Sequence, residues 1–358
     1  MQSTAIAFNH PEWQDFLSAN RAHIENGRVS DFGDPAAERT AAANGNIIAD
    51  LSHYALLRAQ GPEARDFLQG QLSNDLRTLD NSHAQLSSYC NPKGRMLAVL
   101  RLFQRGEDIY LALPVSIAEG ILKRLRMFVM RAKVKLEEER SLVHFGISGP
   151  DVEPLLITAL GQIPASSDES AFVNDVTIIR LAGPSPRFVI IAPFERAREL
   201  WVSLAEKNTP VGTGPWAWLD IQAGVPVVLP ETSEEFVPQM ANLDLINGVS
   251  FKKGCYPGQE IVARMHYLGK LKQRMLRMHA DTDSAPRPGE KLYAKSFGDQ
   301  AAGTVVMAEP SPAGGSDILA VVQIEPARQN ELHLSSTDGP HLAATPLPYS
   351  IPDMNIPG

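Results

Sequence analysis

One of the two cysteines in the chain lies in the run Lys252-Lys253-Gly254-Cys255-Tyr256-Pro257-Gly258-Gln259-Glu260. Pro257 presets φ for the second position of a turn and Gly258 can take positive φ at the third, so Tyr-Pro-Gly-Gln reads as a type II turn. The residues from Gln259 to Met265 have helical composition. Cys255 is therefore expected on a rigid loop, with Lys252, Lys253 and a helix N-terminus close enough to favour its thiolate, the form that attacks electrophiles and ligates metals. A small buried hydrophobe is the alternative for any single cysteine.

A second turn, Asn91-Pro92-Lys93-Gly94-Arg95, follows the other cysteine, Cys90. Its proline and glycine make a loop whose backbone and basic side chains can approach a ligand. Cys90 has no lysine-flanked turn of its own and is expected to be packed inside. His266 reads as a solvent-facing helix residue. With one cysteine in the loop and no second thiol or histidine close by in sequence, no stably bound metal is expected.

The elements that must hold these loops are legible in outline. Pro11, Trp13, Phe16, Leu17 and Ile24 give an amphipathic opening helix, and 26–45 reads as a linker. A strand near Ala55–Ala59 leads into Gly61-Pro62 and a helix expected to carry Leu68, Leu72 and Leu76 on one face. Met96–Phe103 and Ile109–Leu113 read as a hairpin joined by Arg105-Gly106-Glu107-Asp108, and Ile117, Ile121, Leu125 and Phe128 repeat at helical spacing. From 140 to 210 the order is strand Val143–Ser148, helix Val152–Leu160, strands Val176–Leu181 and Phe188–Ala192, and helix Glu195–Lys207, a split β-α-β pattern of ferredoxin type. After 268, short strands at Leu271–His279, Gly303–Met307, Ile318–Ile324 and Glu331–Leu334 alternate with Pro- and Gly-rich loops, which predicts a small β-barrel.

At 358 residues, with 44% hydrophobic and 21% charged residues, the chain has the make-up of an ordinary globular protein of two or three domains. Nothing approaches a transmembrane span, no signal or transit peptide is indicated, and a cytoplasmic location is the expectation. Two cysteines cannot make a disulfide scaffold or hold an iron–sulfur cluster unaided. A net charge of −8 disfavours a dedicated nucleic-acid binder. Two local basic runs stand against it: Lys123, Arg124, Arg126, Arg131, Lys133 and Lys135, and Lys252, Lys253, Arg264, Lys270, Lys272, Arg274 and Arg277. They could attract a glutamate tail or an RNA backbone if the fold joins them, and each alone reads as a solvated face.

The Lys253–Glu260 segment, with Val262-Ala263-Arg264, resembles the signature of the YgfZ family of folate-binding proteins, relatives of the glycine-cleavage T-protein, an aminomethyltransferase. Gly61-Pro62 through Phe67–Leu72 with Asn74-Asp75, Tyr89 through Met96, Ala223-Gly224-Val225-Pro226, and Pro238-Gln239 with Asn242-Leu243 match the same family in order. The resemblance implies an α+β chain in a three-domain T-protein-like arrangement. It has a discontinuous folate-binding first domain (46–139 plus 211–267) after an N-terminal helix and linker (1–45), a ferredoxin-like second domain (140–210) and a C-terminal small β-barrel (268–350). It assigns the thiol work to Cys255 with Lys253, on a surface loop beside the barrel. Contacts to tetrahydrofolate or a one-carbon derivative fall to Asn91, Lys93, Arg95, Gln222, Tyr256, Gln259, Glu260 and Arg264.

Two departures qualify the activity. Aminomethyltransferases carry an acidic pair after the glycine turn, where this chain has Ala98 and Val99, and neither can accept a proton. Relatives commonly carry glutamate where Gln222 stands, and an amide replaces one acceptor by a donor. The Cys255 thiolate is left with three kinds of work: transient ligation of iron or a cluster, exchange with another thiol, or acceptance of a one-carbon unit. The expected function is an accessory protein supporting iron–sulfur proteins or their assembly factors, including cluster enzymes that modify tRNA, with only weak tRNA contact of its own. The alternative is a folate-dependent aminomethyltransferase or demethylase using Asp75 or Asp244.

Overall fold

The computed structural model describes residues 10–269 and 271–352; Lys270 of the second basic run lies outside them. Two compact units divide the chain, one gathering residues up to Ala64 with 79–84 and 102–216, the other 65–78, 85–101 and 217 onward.

The first unit is built on a six-stranded sheet in the order Ser170–Val173, Val176–Leu181, Arg187–Pro193, Leu142–Ser148, Ile47–Asp50 and Thr209–Val211. All neighbours are antiparallel except the last pair, in which Thr209 lies parallel to Ile47. β-Branched and aromatic residues fill these strands, as a two-sided core requires. Helices Pro11–Ala19 and Phe194–Ala205 supply Trp13, Leu17 and Trp201 to a cluster with Phe145 and Phe188. Trp13 also donates from Nε1 to Asp50 at 2.8 Å, which satisfies its one polar atom inside the core. In the same unit, Tyr54–Gln60 pairs antiparallel with Asp108–Pro114 and Lys135–Glu139. Helix Val115–Met127 buries Ala118, Ile121, Leu122 and Leu125, while Phe128, one of the four periodic residues, stays exposed beyond its end.

The second unit ends in a six-stranded sheet ordered His333–Leu334, Lys291–Tyr293, Gly303–Pro310, Ser316–Gln323, Gln273–Ala280 and Ala343–Thr345. It curls into a half-barrel, with a register shift between Val305 and Met307 bending one strand. Strand Gln85–Cys90, the start of strand Met96–Arg105 and helix Gln259–Tyr267 complete the part that carries both sequence motifs.

Two local expectations fail for identifiable reasons. The stretch 26–45 is not a linker: Arg28–Asp31 pairs with His23–Glu25, and Pro35–Asn44 is a helix. Asp34 caps that helix by accepting the Ala37 N–H at 3.0 Å, with Pro35 in its first turn. Its alanine-rich face lacks the large apolar residues that periodicity detects, and its buried anchor is Glu38, which accepts N–H groups from Phe32 and Gly212. The helix after Gly61 stops at Gln69. Leu68, Leu72 and Leu76 are all fully buried, but Leu72 bridges to Tyr89 and Leu76 opens a 3-10 turn.

His144 is buried and His53 half-buried in the first unit, and the buried ring atoms His53 Nδ1 and His144 Nε2 have no hydrogen-bond partner among the described residues. Burial pushes His144 from 6.5 down to about 4 and His53 down to about 3. Both are neutral when folded, so below the unfolded value the unfolded chain binds more protons. Stability then falls as pH falls, by up to about 1.4 kcal/mol per pH unit for each group. Asp50, raised by its own burial, opposes part of this fall. A His144→Leu variant should lose less urea midpoint than the wild type between about pH 6.5 and 4.5. Parallel losses would mean that His144 is not held neutral.

Candidate functional site

The Tyr256–Gln259 turn forms as its residues dictate. Gly258 sits at φ 80° and ψ 1°, and the Gln259 N–H donates to the Tyr256 carbonyl at 3.1 Å, the geometry of a type II turn. Helix Gln259–Tyr267 starts directly from it. In the other motif, the Asn91 side-chain oxygen accepts the N–H groups of Lys93 at 2.9 Å and Arg95 at 3.1 Å, while the Asn91 carbonyl accepts from Gly94 at 2.9 Å. Asn91 is thus a turn-maker whose oxygen is engaged by its own loop.

The two turns meet backbone to backbone. A Cβ on Gly258 would lie 2.5 Å from both the Asn91 carbonyl oxygen and Gly94 Cα, and one on Gly94 would lie 3.2 Å from the Gly258 carbonyl oxygen. Both glycines also have positive φ. Cys255 sits in this junction's loop, and its side chain is exposed.

Around that exposed sulfur the neighbouring residues are anchored. Lys253 is 6% exposed, and its Nζ donates to the carbonyls of Gln69 at 2.6 Å, Leu72, and Asn74 at 3.0 Å, which uses all three ammonium donors. The ammonium also lies 5.1 Å from the centre of the buried Tyr256 ring. Burial pushes Lys253 down to about 8, against the attraction of Asp75 and with the repulsion of Arg77. The hydrogen bonds of Lys253 thus go inward to the backbone and none goes to the sulfur. Gln259 donates to the Lys253 carbonyl at 3.4 Å, while Lys252, Glu260 and Arg264 are exposed. Cys90 is buried, with its thiol pushed up to about 12 and Ser88 Oγ 3.5 Å from its sulfur.

The remaining expected contacts do not converge on the sulfur. Lys93 is exposed, and Arg95 donates to the carbonyls of Glu234 and Glu235. Gln222, on helix Thr213–Ala223, is bonded to the half-barrel: its Oε1 accepts from Arg277 at 2.6 Å and its Nε2 donates to Asp317 at 3.2 Å. Asp317 also holds Trp218 Nε1 at 2.7 Å and His279 Nδ1 at 2.8 Å. A glutamate at 222 would face that carboxylate, so glutamine is what this network accepts. Ala98 and Val99 are both buried in their strand. Of the acids named for the alternative activity, Asp75 is clasped by Arg77 and held well below the usual carboxylate range. Asp244 takes a two-pronged bond from Arg274 at 2.6 and 2.9 Å.

Residues 14–253 match the family model described as the GCVT N-terminal domain. The tRNA-modifying protein YgfZ of Pectobacterium carotovorum is 30% identical over 308 residues, which covers 86% of this chain and 92% of that protein. The chain belongs to the YgfZ family. The protein of the same name from Yersinia enterocolitica is 30% identical over 305 residues, covering 85% and 92%. The crystal structure of glycine cleavage system aminomethyltransferase T from Bartonella henselae aligns with a TM-score of 0.77 at 17% identity, covering 94% of this chain and 95% of that one. That likeness is one of fold, and it makes the YgfZ-family chain an α+β protein of T-protein type.

Sequence reasoning passed over the partners that fix the family motifs. Tyr349 donates to the Gly224 carbonyl at 2.8 Å and accepts from Asn242 at 3.3 Å. The amide oxygens of Gln239 and Asn242 are buried without a partner, whereas their amide nitrogens donate to the carbonyls of Val262 and Met275. Gln239 also lines a cavity of about 730 Å3 with Asp244, His266, Lys272, Arg274 and Glu325. Its volume falls within the range of small-molecule sites. Lys272 there suits a carboxylate tail, whereas the orphaned oxygens of Gln239 and Asn242 are wholly covered by protein and closed to a ligand. The motif Pro238-Gln239 flagged this segment, but no sequence signal reveals an orphaned oxygen.

Because the Gly258 contact is with backbone, it cannot be relieved by a side chain swinging away. Gly258→Ala should cost about 2 kcal/mol or more in urea unfolding, whereas Gly254→Ala, with open space around it, should stay within about 0.5 kcal/mol of wild type. Equal effects would refute the tight junction.

Proposed function

We propose that this YgfZ-family chain is a tetrahydrofolate-binding accessory protein that supports iron–sulfur proteins, among them cluster enzymes that modify tRNA, through the thiol of Cys255. The observation carrying this reading is the exposure of Cys255 on a loop whose neighbours are fixed. A thiol held this way can reach a partner protein's iron and leave again, as a transient ligand must, and one sulfur leaves the other ligand positions to the partner. The name of the relatives from Pectobacterium and Yersinia, tRNA-modifying protein, supports the tRNA context.

Aminomethyl transfer is the weaker reading. Ala98 and Val99 offer no carboxylate, and Asp75 and Asp244 are each held by an arginine. Folate would supply a one-carbon carrier; from this chain, Lys272 in the cavity would hold its carboxylate tail.

The test compares iron–sulfur enzyme activities in cells lacking the protein, carrying wild type, or carrying Cys255→Ala. The exposed substitution should leave stability within about 0.5 kcal/mol and tetrahydrofolate affinity unchanged in titration, yet behave in cells like the deletion. Full activity with the alanine variant would reject the thiol role, and no heat of binding with tetrahydrofolate would reject the folate role.

A further inference from the structure

The three carbonyls around Lys253 form a cation site. Gln69 is the last residue of helix Ala64–Gln69, where carbonyls lose their intrahelical partners, and Leu72 and Asn74 follow in the turn. The chain leading to Lys253 is stitched to the same turn. The Ser250 N–H donates to the Ser73 carbonyl at 3.0 Å, Ser73 Oγ donates to the Gly248 carbonyl at 2.9 Å, and Asn74 Nδ2 donates to the Asn247 carbonyl at 2.7 Å. Beyond Lys253 the next anchor is Tyr256, under whose ring the ammonium lies. Gly254 and Cys255, between these anchors, are exposed.

We propose that Lys253 is a positioning residue: its ammonium fills a carbonyl cage built for a cation and thereby fixes the loop that presents Cys255, instead of acting as a charge partner of the sulfur. This rests on the reading of Cys255 as the working thiol. All three ammonium donors are committed to carbonyls, so none is left for the sulfur. The charged groups facing the ammonium are Asp75 and Arg77, which act in opposite senses. Since a cage of carbonyls recognises an N–H-bearing cation by hydrogen bonds, a small alkylammonium ion should replace the side chain when it is removed.

The experiment uses the purified full chain with Lys253→Ala. Amide exchange at Gly94 and Gln259, whose N–H groups donate to the Asn91 and Tyr256 carbonyls, should speed up by about tenfold or more, since exchange follows local opening. n-Propylammonium should slow it again with a saturating dose, and tetramethylammonium, which has no N–H, should not. The pH midpoint of Cys255 alkylation by iodoacetamide should stay in place. A rise of that midpoint by about one unit, roughly a tenfold loss of thiolate at neutral pH, would mean that Lys253 is a charge partner and overturn the proposal. Unchanged exchange, or equal recovery with tetramethylammonium, would overturn it as well. Lys253→Met, which fills the same channel without donors, carries the exchange and alkylation measurements if the alanine variant does not fold. These readouts on purified protein are independent of the cell assay, so a silent Cys255→Ala in cells and a failed cage are distinguishable results.

Discussion

The loop that presents Cys255 depends on two backbones approaching more closely than any side chain permits. Gly94 and Gly258 both adopt positive φ; a Cβ on Gly258 would meet the Asn91–Gly94 backbone at 2.5 Å, and one on Gly94 would be crowded at 3.1 Å by Ile261 and at 3.2 Å by the Gly258 carbonyl. Contacts of this kind are stiff, because peptide groups have only two soft torsions per residue and both are already set. The Pro257-Gly258 turn and the Asn91–Arg95 turn, far apart in sequence, therefore behave as one support. Helix Gln259–Tyr267 is aimed from that support, and so is the short span ending in Cys255.

Desolvation separates the roles of the two cysteines. Cys90 lies in the core with Ser88 as its polar neighbour, and burial pushes its thiol up to about 12, which keeps it protonated and inert. Cys255 reaches solvent. The same physics acts on Lys253, where burying a charge costs several kcal/mol. Hydrogen bonds from a charged donor return about 1.5–3 kcal/mol each. One carbonyl could not offset that cost, and three can. The cage is thus the condition under which a lysine can be buried there at all, and a charge held so tightly has lost the freedom to follow a reacting atom.

What the sequence made legible is what local chemistry decides. Pro257 and Gly258 announce their turn, and Val152–Leu160 and Val176–Leu181 fall at the bounds their patterns predict because apolar periodicity and flanking turn residues agree. Helix Pro35–Asn44 was hidden by its alanines, although Asp34-Pro35 is a start signal. The helix through Leu68 was drawn too long because three buried leucines at spacing four satisfy a helical template even when the chain leaves the helix at Gly70. The hydrogen-bond partners of Lys253 were hidden for a deeper reason. Adjacency to Cys255 is visible in sequence, but the direction of a long side chain is set by partners some 180 residues away, and no local pattern reports them.

The uncharged residues at 98, 99 and 222 have one electrostatic logic. In the half-barrel, Asp317 gathers Trp218, His279 and Gln222, with the Arg277 guanidinium near enough to attract its charge. A carboxylate at 222 would add a second negative charge at hydrogen-bond distance and would have to draw on Arg277 to stay ionised. Arg277 is itself half-buried and bonded to Thr345 in the last strand, so the cost would pass into the sheet. With alanine and valine at 98 and 99 buried in hydrocarbon and glutamine at 222, both places where the resemblance to aminomethyltransferases leads one to expect acids hold groups that need no counter-charge. Such a chain keeps the shape of an aminomethyltransferase without a carboxylate at 98 or 99. Under the function proposed above, the exposed sulfur would take over as the reactive group, and reversible ligation would suit it better than moving protons.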